Sequence, residues 1–163
     1  MVAVDMDGTF VRSDYTYDVP RFKRILSRMK SAGCNFVVAS GNQYYQLRDL
    51  FPGYYDELSF VAENGAFVKD RKELVFTANM PKETVDFVID ICREYPEIRN
   101  VLCGVNSAYC ESGTVSQEFF ERTNIYYHRL QWTDDLKKVN DQILNFPPPV
   151  PVGKTPFYYD MVL

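Results

Sequence analysis

The chain has 163 residues, 46% of them hydrophobic, enough for one domain of ordinary size or for a small domain with part of another. Eighteen Lys and Arg against 22 Asp and Glu leave a net charge of −4 and no basic stripe, which excludes polyanion binding, nucleic acid included, as the main task. No apolar run approaches the roughly 20 residues that cross a bilayer, and an acidic pair stands where a signal peptide would carry its apolar stretch, so a cytoplasmic protein without a membrane partner is expected.

In chain order, Val2 to Val4 make a short apolar run that stops at Asp5, the pattern of a strand buried on both faces. After a polar loop, Phe22, Ile25, Leu26 and Met29 recur at helical spacing, with Pro20 placed for a first turn and Gly33 just past the last. Phe36 to Ala39 predict a second strand running into Ser40, Gly41 and Asn42, followed by a helix over 44–50. A third strand, LSFVA, ends in Glu63, Asn64 and Gly65, of which Asn64 and Gly65 read as shaping a turn. Apolar strands alternating with helical stretches are the mark of βαβ units and a parallel sheet.

From Ala66 the rhythm changes. AFV, the charged turn KDRK and ELVFTA predict a hairpin, and PKETVDFVIDICREY predicts a helix with Val85, Val88, Ile89 and Cys92 on one face. NVLCGV and SAYCE read as strands, Gln117 to Arg122 as a short helix and IYYHRLQW as a strand. A helix opened by Thr133, Asp134 and Asp135 and a last strand, DQILNF, complete an α+β block. NFPPPVPVGKTP cannot continue a central strand.

Cys34, Cys92, Cys103 and Cys110 form no C-x-x-C pair, so buried, reduced thiols are expected rather than a disulfide framework or a zinc site. Cys103, Cys110 and His128, the one histidine, lack a fourth ligand, and His128 reads as structural. Lys154 in VGKTP is no P-loop lysine, since the first glycine of that motif would fall on Pro148.

In α/β folds ligands gather at the carboxyl ends of strands, and three successive ends here are DMDGT, SGN and ENG. Two neighbouring carboxylates repel, so Asp5 and Asp7 are stable as a charged pair only beside a cation or a cluster of donors; an ion such as Mg²⁺, bound through oxygen, fits. Gly8 lets the backbone pass close to a ligand, Thr9 adds a hydroxyl beside main-chain N–H groups, and Ser40 offers a second hydroxyl, a setting for phosphate oxygens. The combination points to phosphoryl chemistry.

DMDGT after a buried strand, then ASGN about 35 residues on, resembles the first two motifs of the haloacid dehalogenase superfamily of phosphatases. VAENGA and the α+β block after it narrow the resemblance, over residues 1–146, to the Cof-type sugar-phosphate phosphatases. The resemblance implies an α/β fold: a partial Rossmann-like parallel-sheet core over 1–65, an inserted α+β cap over 66–146 and an atypical Pro-rich tail over 147–163. It implies a small phosphorylated metabolite as substrate, Asp5 as a nucleophile that forms an aspartyl-phosphate, and Asp7 as the acid that protonates the leaving group and the base that then activates water. It also implies Mg²⁺ held by the Asp5 carboxylate and the Asp7 main-chain carbonyl, with the phosphoryl group bound by Ser40 and the Gly41 N–H. Asn42 stands where many relatives carry arginine, and with Gly8, Thr9, Ser40 and Gly41 it is expected to bind the phosphate.

The family pattern adds a lysine and a G-D-x-x-N-D segment that return to the core after the cap, and neither occurs here. A member truncated within or just after the cap is therefore expected. Such a chain would hold magnesium weakly and turn over slowly, or be a catalytically incomplete fragment that at most binds phosphate or metal. A signalling receiver domain would need its acceptor aspartate at a later strand end, where this chain has Ser40 and Glu63.

Overall fold

The computed structural model describes residues 1–95 and 98–147, together with the backbone of 150 and 151. Most of the Pro-rich segment lies outside the described residues. The chain forms two compact units, Met1–Thr77 and Ala78–Leu163.

The first unit is an α/β sheet of order β1-β2-β3-β4-β5, formed by Val2–Asp5, Phe36–Ala39, Ser59–Ala62, Phe67–Asp70 and Glu73–Thr77. β1, β2 and β3 run parallel, with Val4 opposite Val38 and Val38 opposite Phe60; β4 and β5 turn back antiparallel. The predicted hairpin is therefore present, but it extends the first sheet instead of opening the second block. Its ladder begins where Ala62 meets Phe67, so the turn at Glu63 to Gly65 is a reversal within one sheet.

Helix α1 (Val19–Ser31) starts as its sequence dictates. The Asp18 carboxylate accepts from Arg21 N over 2.8 Å and Pro20 occupies the first turn. Phe22 and Leu26 are buried, whereas Ile25, from the same predicted face, is 42% exposed. α2 (Tyr44–Asp49) buries Tyr44 and Leu47. Phe10, Tyr17, Phe22, Phe36 and Phe51 pack ring to ring with centroids 5.0–6.5 Å apart, the geometry aromatic quadrupoles favour. One expectation is corrected. β1 is not buried on both faces: Val2, Ala3 and Asp5 are exposed, because β1 is the edge of the sheet and β2 is its one partner among the described strands.

The second unit holds α3 (Lys82–Glu94) and a sheet of order β10-β7-β8-β9, with β7 at Leu102–Gly104, β8 at Ala108–Glu111, β9 at Leu130–Thr133 and β10 at Ile143–Asn145. α4 (Gln117–Asn124) is capped by Ser116. A short β6 (Ile98–Arg99) pairs with β11 (Val150–Pro151). Leu102 and Cys103, adjacent on β7, serve two different cores, as alternation in a strand requires. Leu102 joins Val85, Ile89, Leu136 and Ile143, while Cys103 joins Val101, Ala108, Cys110 and Val115. IYYHRLQW forms strand only from Leu130, since Tyr126 N and Tyr127 N bond back to Thr123 O and continue the end of α4. The helix expected at Thr133 is a single turn, Leu136–Lys138, because Thr133 pairs with Glu111 as the end of β9 and Val139 is extended.

Candidate active site

The parallel strands β1 and β2 end side by side, with Asp5 opposite Ala39. That register brings residues 35 positions apart into hydrogen-bond reach. Immediately after β1 the chain turns through Met6–Phe10, and Gly8 takes a φ of +67°, a region that costs other residues strain. A Cβ at Gly8 would meet nothing within 4 Å, so it is the backbone conformation rather than crowding that calls for glycine, and the space above the turn is open. Met6, between the two aspartates, is completely buried and pins the turn, while Asp5 and Asp7 on either side are exposed.

Two polar pairings organise the site. Thr9 Oγ1 donates to Asp5 Oδ2 over 3.0 Å, so this hydroxyl orients the first carboxylate. Among the described residues no other donor reaches Asp5, which leaves Oδ1 open to solvent. Asp7 Oδ2 accepts from Asn42 Nδ2 at 2.8 Å and from Ser40 Oγ at 3.4 Å, and Ser40 Oγ in turn accepts from Asn42 N at 3.1 Å. Asp5, Asp7, Gly8, Thr9, Ser40, Gly41 and Asn42 thus lie on two adjoining strand ends.

The third strand end closes the site from behind. Glu63 and Asn64 both have positive φ, 52° and 55°, and Glu63 N donates to Asn42 O over 3.1 Å. Asn64 Oδ1 lies 2.7 Å from where a Cβ of residue 41 would stand. Gly41 is therefore glycine because the ENG turn crosses it. The reading of Asn64 as a turn residue agrees with this geometry; its packing against Gly41, and the Asn42–Asp7 bond, have no local signal in the sequence.

The oxygen donors suit a hard cation. Mg²⁺ keeps several waters and takes one or two carboxylates plus substrate oxygens, and Asp5 Oδ1 is an exposed carboxylate oxygen without a donor of its own. Among the described residues no group of three or more His, Cys, Asp or Glu side chains could hold a metal. Cys103 and Cys110 are buried, and burial pushes the Cys110 thiol up to about 12, which keeps it protonated and unfit as a ligand.

Comparison with known proteins agrees with this geometry. The model of the haloacid dehalogenase-like hydrolases matches residues 2–146, and the chain belongs to that family. The chain is 39% identical over 146 residues to the 5-amino-6-(5-phospho-D-ribitylamino)uracil phosphatase YbjI of Escherichia coli (strain K12), a match covering 90% of this chain and 54% of that protein. The crystal structure of SMU.1108c from Streptococcus mutans UA159 superposes with a TM-score of 0.78 at 32% identity, over 86% of this chain and 53% of the other. A haloacid dehalogenase-like hydrolase from Bacteroides thetaiotaomicron shares the fold at a TM-score of 0.68 and 19% identity, over 86% and 54% of the two chains. The chain spans about half the length of the curated relatives it matches.

Proposed function

We propose that this chain supplies the phosphoryl-transfer centre of a magnesium-dependent phosphatase acting on small phosphorylated metabolites, sugar phosphates among them. The observation that carries the reading is the pairing of two exposed carboxylates with hydroxyl and amide donors at adjacent parallel strand ends, in a chain of the haloacid dehalogenase-like family. The Asp5 carboxylate attacks phosphorus as the ester P–O bond breaks, and the leaving alkoxide takes a proton from Asp7. Asp7 then removes a proton from water, whose oxygen attacks the aspartyl-phosphate, releasing inorganic phosphate and restoring the Asp5 carboxylate. Thr9 holds Asp5 Oδ2 so that Oδ1 faces outward. Ser40, the Gly41 N–H and the open backbone at Gly8 receive the phosphoryl oxygens. The Asp5 carboxylate and the Asp7 main-chain carbonyl would hold Mg²⁺, which would supply charge to offset that of those oxygens.

A second reading, a chain that binds phosphate or metal without turnover, is favoured by one observation: among the described residues no third carboxylate joins Asp5 and Asp7 in a metal-holding group. Hydrolysis of p-nitrophenyl phosphate with and without Mg²⁺, by the chain and by Asp5→Asn, separates the two. Magnesium-dependent turnover lost in Asp5→Asn is the expected result. Equal rates in the two proteins overturn Asp5 as nucleophile, and beryllofluoride binding without turnover selects the second reading.

A further inference from the structure

Asn42 sits where three strand ends converge, and its main-chain N–H, its main-chain carbonyl and its side-chain amide N–H are all engaged. Its main-chain N–H donates to Ser40 Oγ over 3.1 Å, its carbonyl accepts from Glu63 N over 3.1 Å, and its side-chain amide donates to Asp7 Oδ2 over 2.8 Å. The residue is half-buried, between exposed Gly41 and buried Gln43. A short side chain whose backbone is tied on both sides has little freedom to swing toward a ligand, so its amide is fixed on Asp7. Ser40 Oγ reaches the same oxygen only at 3.4 Å, near the limit of a useful hydrogen bond.

From these contacts we infer that Asn42 is a positioning residue for Asp7: it holds the second carboxylate in the orientation from which it serves the leaving group, and it does not itself bind the phosphoryl group. The inference rests on the phosphatase reading above. It has a chemical signature. Expelling an alkoxide needs a proton in the transition state, whereas p-nitrophenolate leaves without one, so only poor leaving groups depend on a well-aimed acid. A residue that bound the phosphoryl group would matter equally for both, because that group is common to all the esters.

The contact is read first, on the isotope-labelled chain. The two protons of the Asn42 side-chain amide are expected to resonate farther apart than those of a free asparagine amide, the bonded one exchanging slowly with solvent, and Asp7→Ala to reduce that separation to the free-amide value while Asp5→Ala leaves it. An amide pair indifferent to Asp7→Ala overturns the inference whether or not the chain turns over. Kinetics then tests the role with Asn42→Ala and the isosteric Asn42→Asp, which replaces the donor by an acceptor. Both should lower kcat on an alkyl phosphate by about tenfold or more and on p-nitrophenyl phosphate by less than about threefold, with KM nearly unchanged. Equal losses on the two esters, or a rise in KM with kcat preserved, overturn it. If the unmodified chain hydrolyses neither ester, the phosphatase reading fails, and the amide spectrum decides the contact by itself.

Discussion

Two aspartates, one in each unit, show how similar chemistry serves opposite ends. Asp141, in the second unit, is saturated: its carboxylate accepts from Asn106 N, Asn106 Nδ2, Tyr109 Oη and Gln142 N, all within 2.8–2.9 Å, and from Ser107 N at 3.3 Å. Those bonds fasten the turn between β7 and β8 to the start of β10, and they leave no oxygen for a ligand. Asp5, in the first unit, has one donor, Thr9, and stands exposed at a strand end. A carboxylate whose lone pairs are all taken is a clamp; one held by a single hydroxyl is poised to attack or to coordinate.

The sharpest way to break this contrast is to exchange the expected losses. On the proposed reading, Asp5→Asn should cut turnover by about 10³-fold or more while leaving thermal stability at or above that of the unaltered chain, since the carboxylate is exposed. Asp141→Ala should lose about 2–4 kcal/mol by leaving three main-chain N–H groups and the Tyr109 hydroxyl without this acceptor, with little change in turnover per folded molecule. Chemical denaturation and a steady-state assay on both variants decide it. Stability lost in the first, or turnover lost in the second at full folding, would erase the distinction between clamp and site.

Glycine placement gives a second test of the same contrast. A Cβ at Gly104 would stand 2.3 Å from Asp141 Oδ2 and 3.1 Å from Asp141 Cβ, so Gly104→Ala pushes directly on the clamp. The expected cost is about 1–3 kcal/mol from overpacking. In an Asp141→Ala background the carboxylate is removed and only the approach to Cβ remains, so the cost in the double mutant should be less than the sum of the two losses, a coupling that equilibrium melts read directly. Gly41→Ala makes the matching intrusion on Asn64 Oδ1, at 2.7 Å, in the other unit. There the damage should appear in turnover as well as stability, because the crossing turn also carries the Glu63 N to Asn42 O bond behind Asp7.

What the sequence made legible follows from range. DMDGT and ASGN each lie within a few residues of an apolar strand, so strand, turn and chemistry are read together, and Asp5, Asp7, Ser40 and Asn42 do meet at adjoining strand ends. α1 was readable for the same reason, Pro20 and Gly33 being local signals, and the structure adds Asp18 as its cap. What escaped depends on partners far along the chain. Whether Val2 to Val4 are covered is decided by what lies beyond β1 in the sheet, and no residue of MVAVD reports that. The hairpin was legible, but that it pairs Ala62 with Phe67 and so extends the first sheet was not. Asp141 reads in the sequence as the start of the strand DQILNF, and its clamping role is invisible there because its partners stand some 35 positions upstream.

A third carboxylate, Asp135, falls between the two and gives the smallest predicted effect. It accepts from Arg93 Nη2 over 2.9 Å and from Lys137 N over 3.0 Å, with Lys138 Nζ at 3.5 Å. The Arg93 hydrogen bond first, then the Lys137 N–H, hold its carboxyl below the usual value of 3.8. Because the folded-state value is the lower one, its contribution to stability is complete above the unfolded value and disappears as pH falls through the folded one. The pair is open to solvent, so salt and water screen it and the effect is small. Thermal melts of the chain and of Asp135→Asn across the acid range should therefore differ by a constant amount above about pH 5 and converge below about pH 4. Melts that coincide at every pH would mean that the charge of Asp135 is immaterial and that it acts as the N-cap of Leu136–Lys138 alone, a part asparagine plays equally well. Asp135 would then be a clamp of the Asp141 kind, held by geometry, and the charge of Arg93 would act on Glu111, its other and more deeply buried partner.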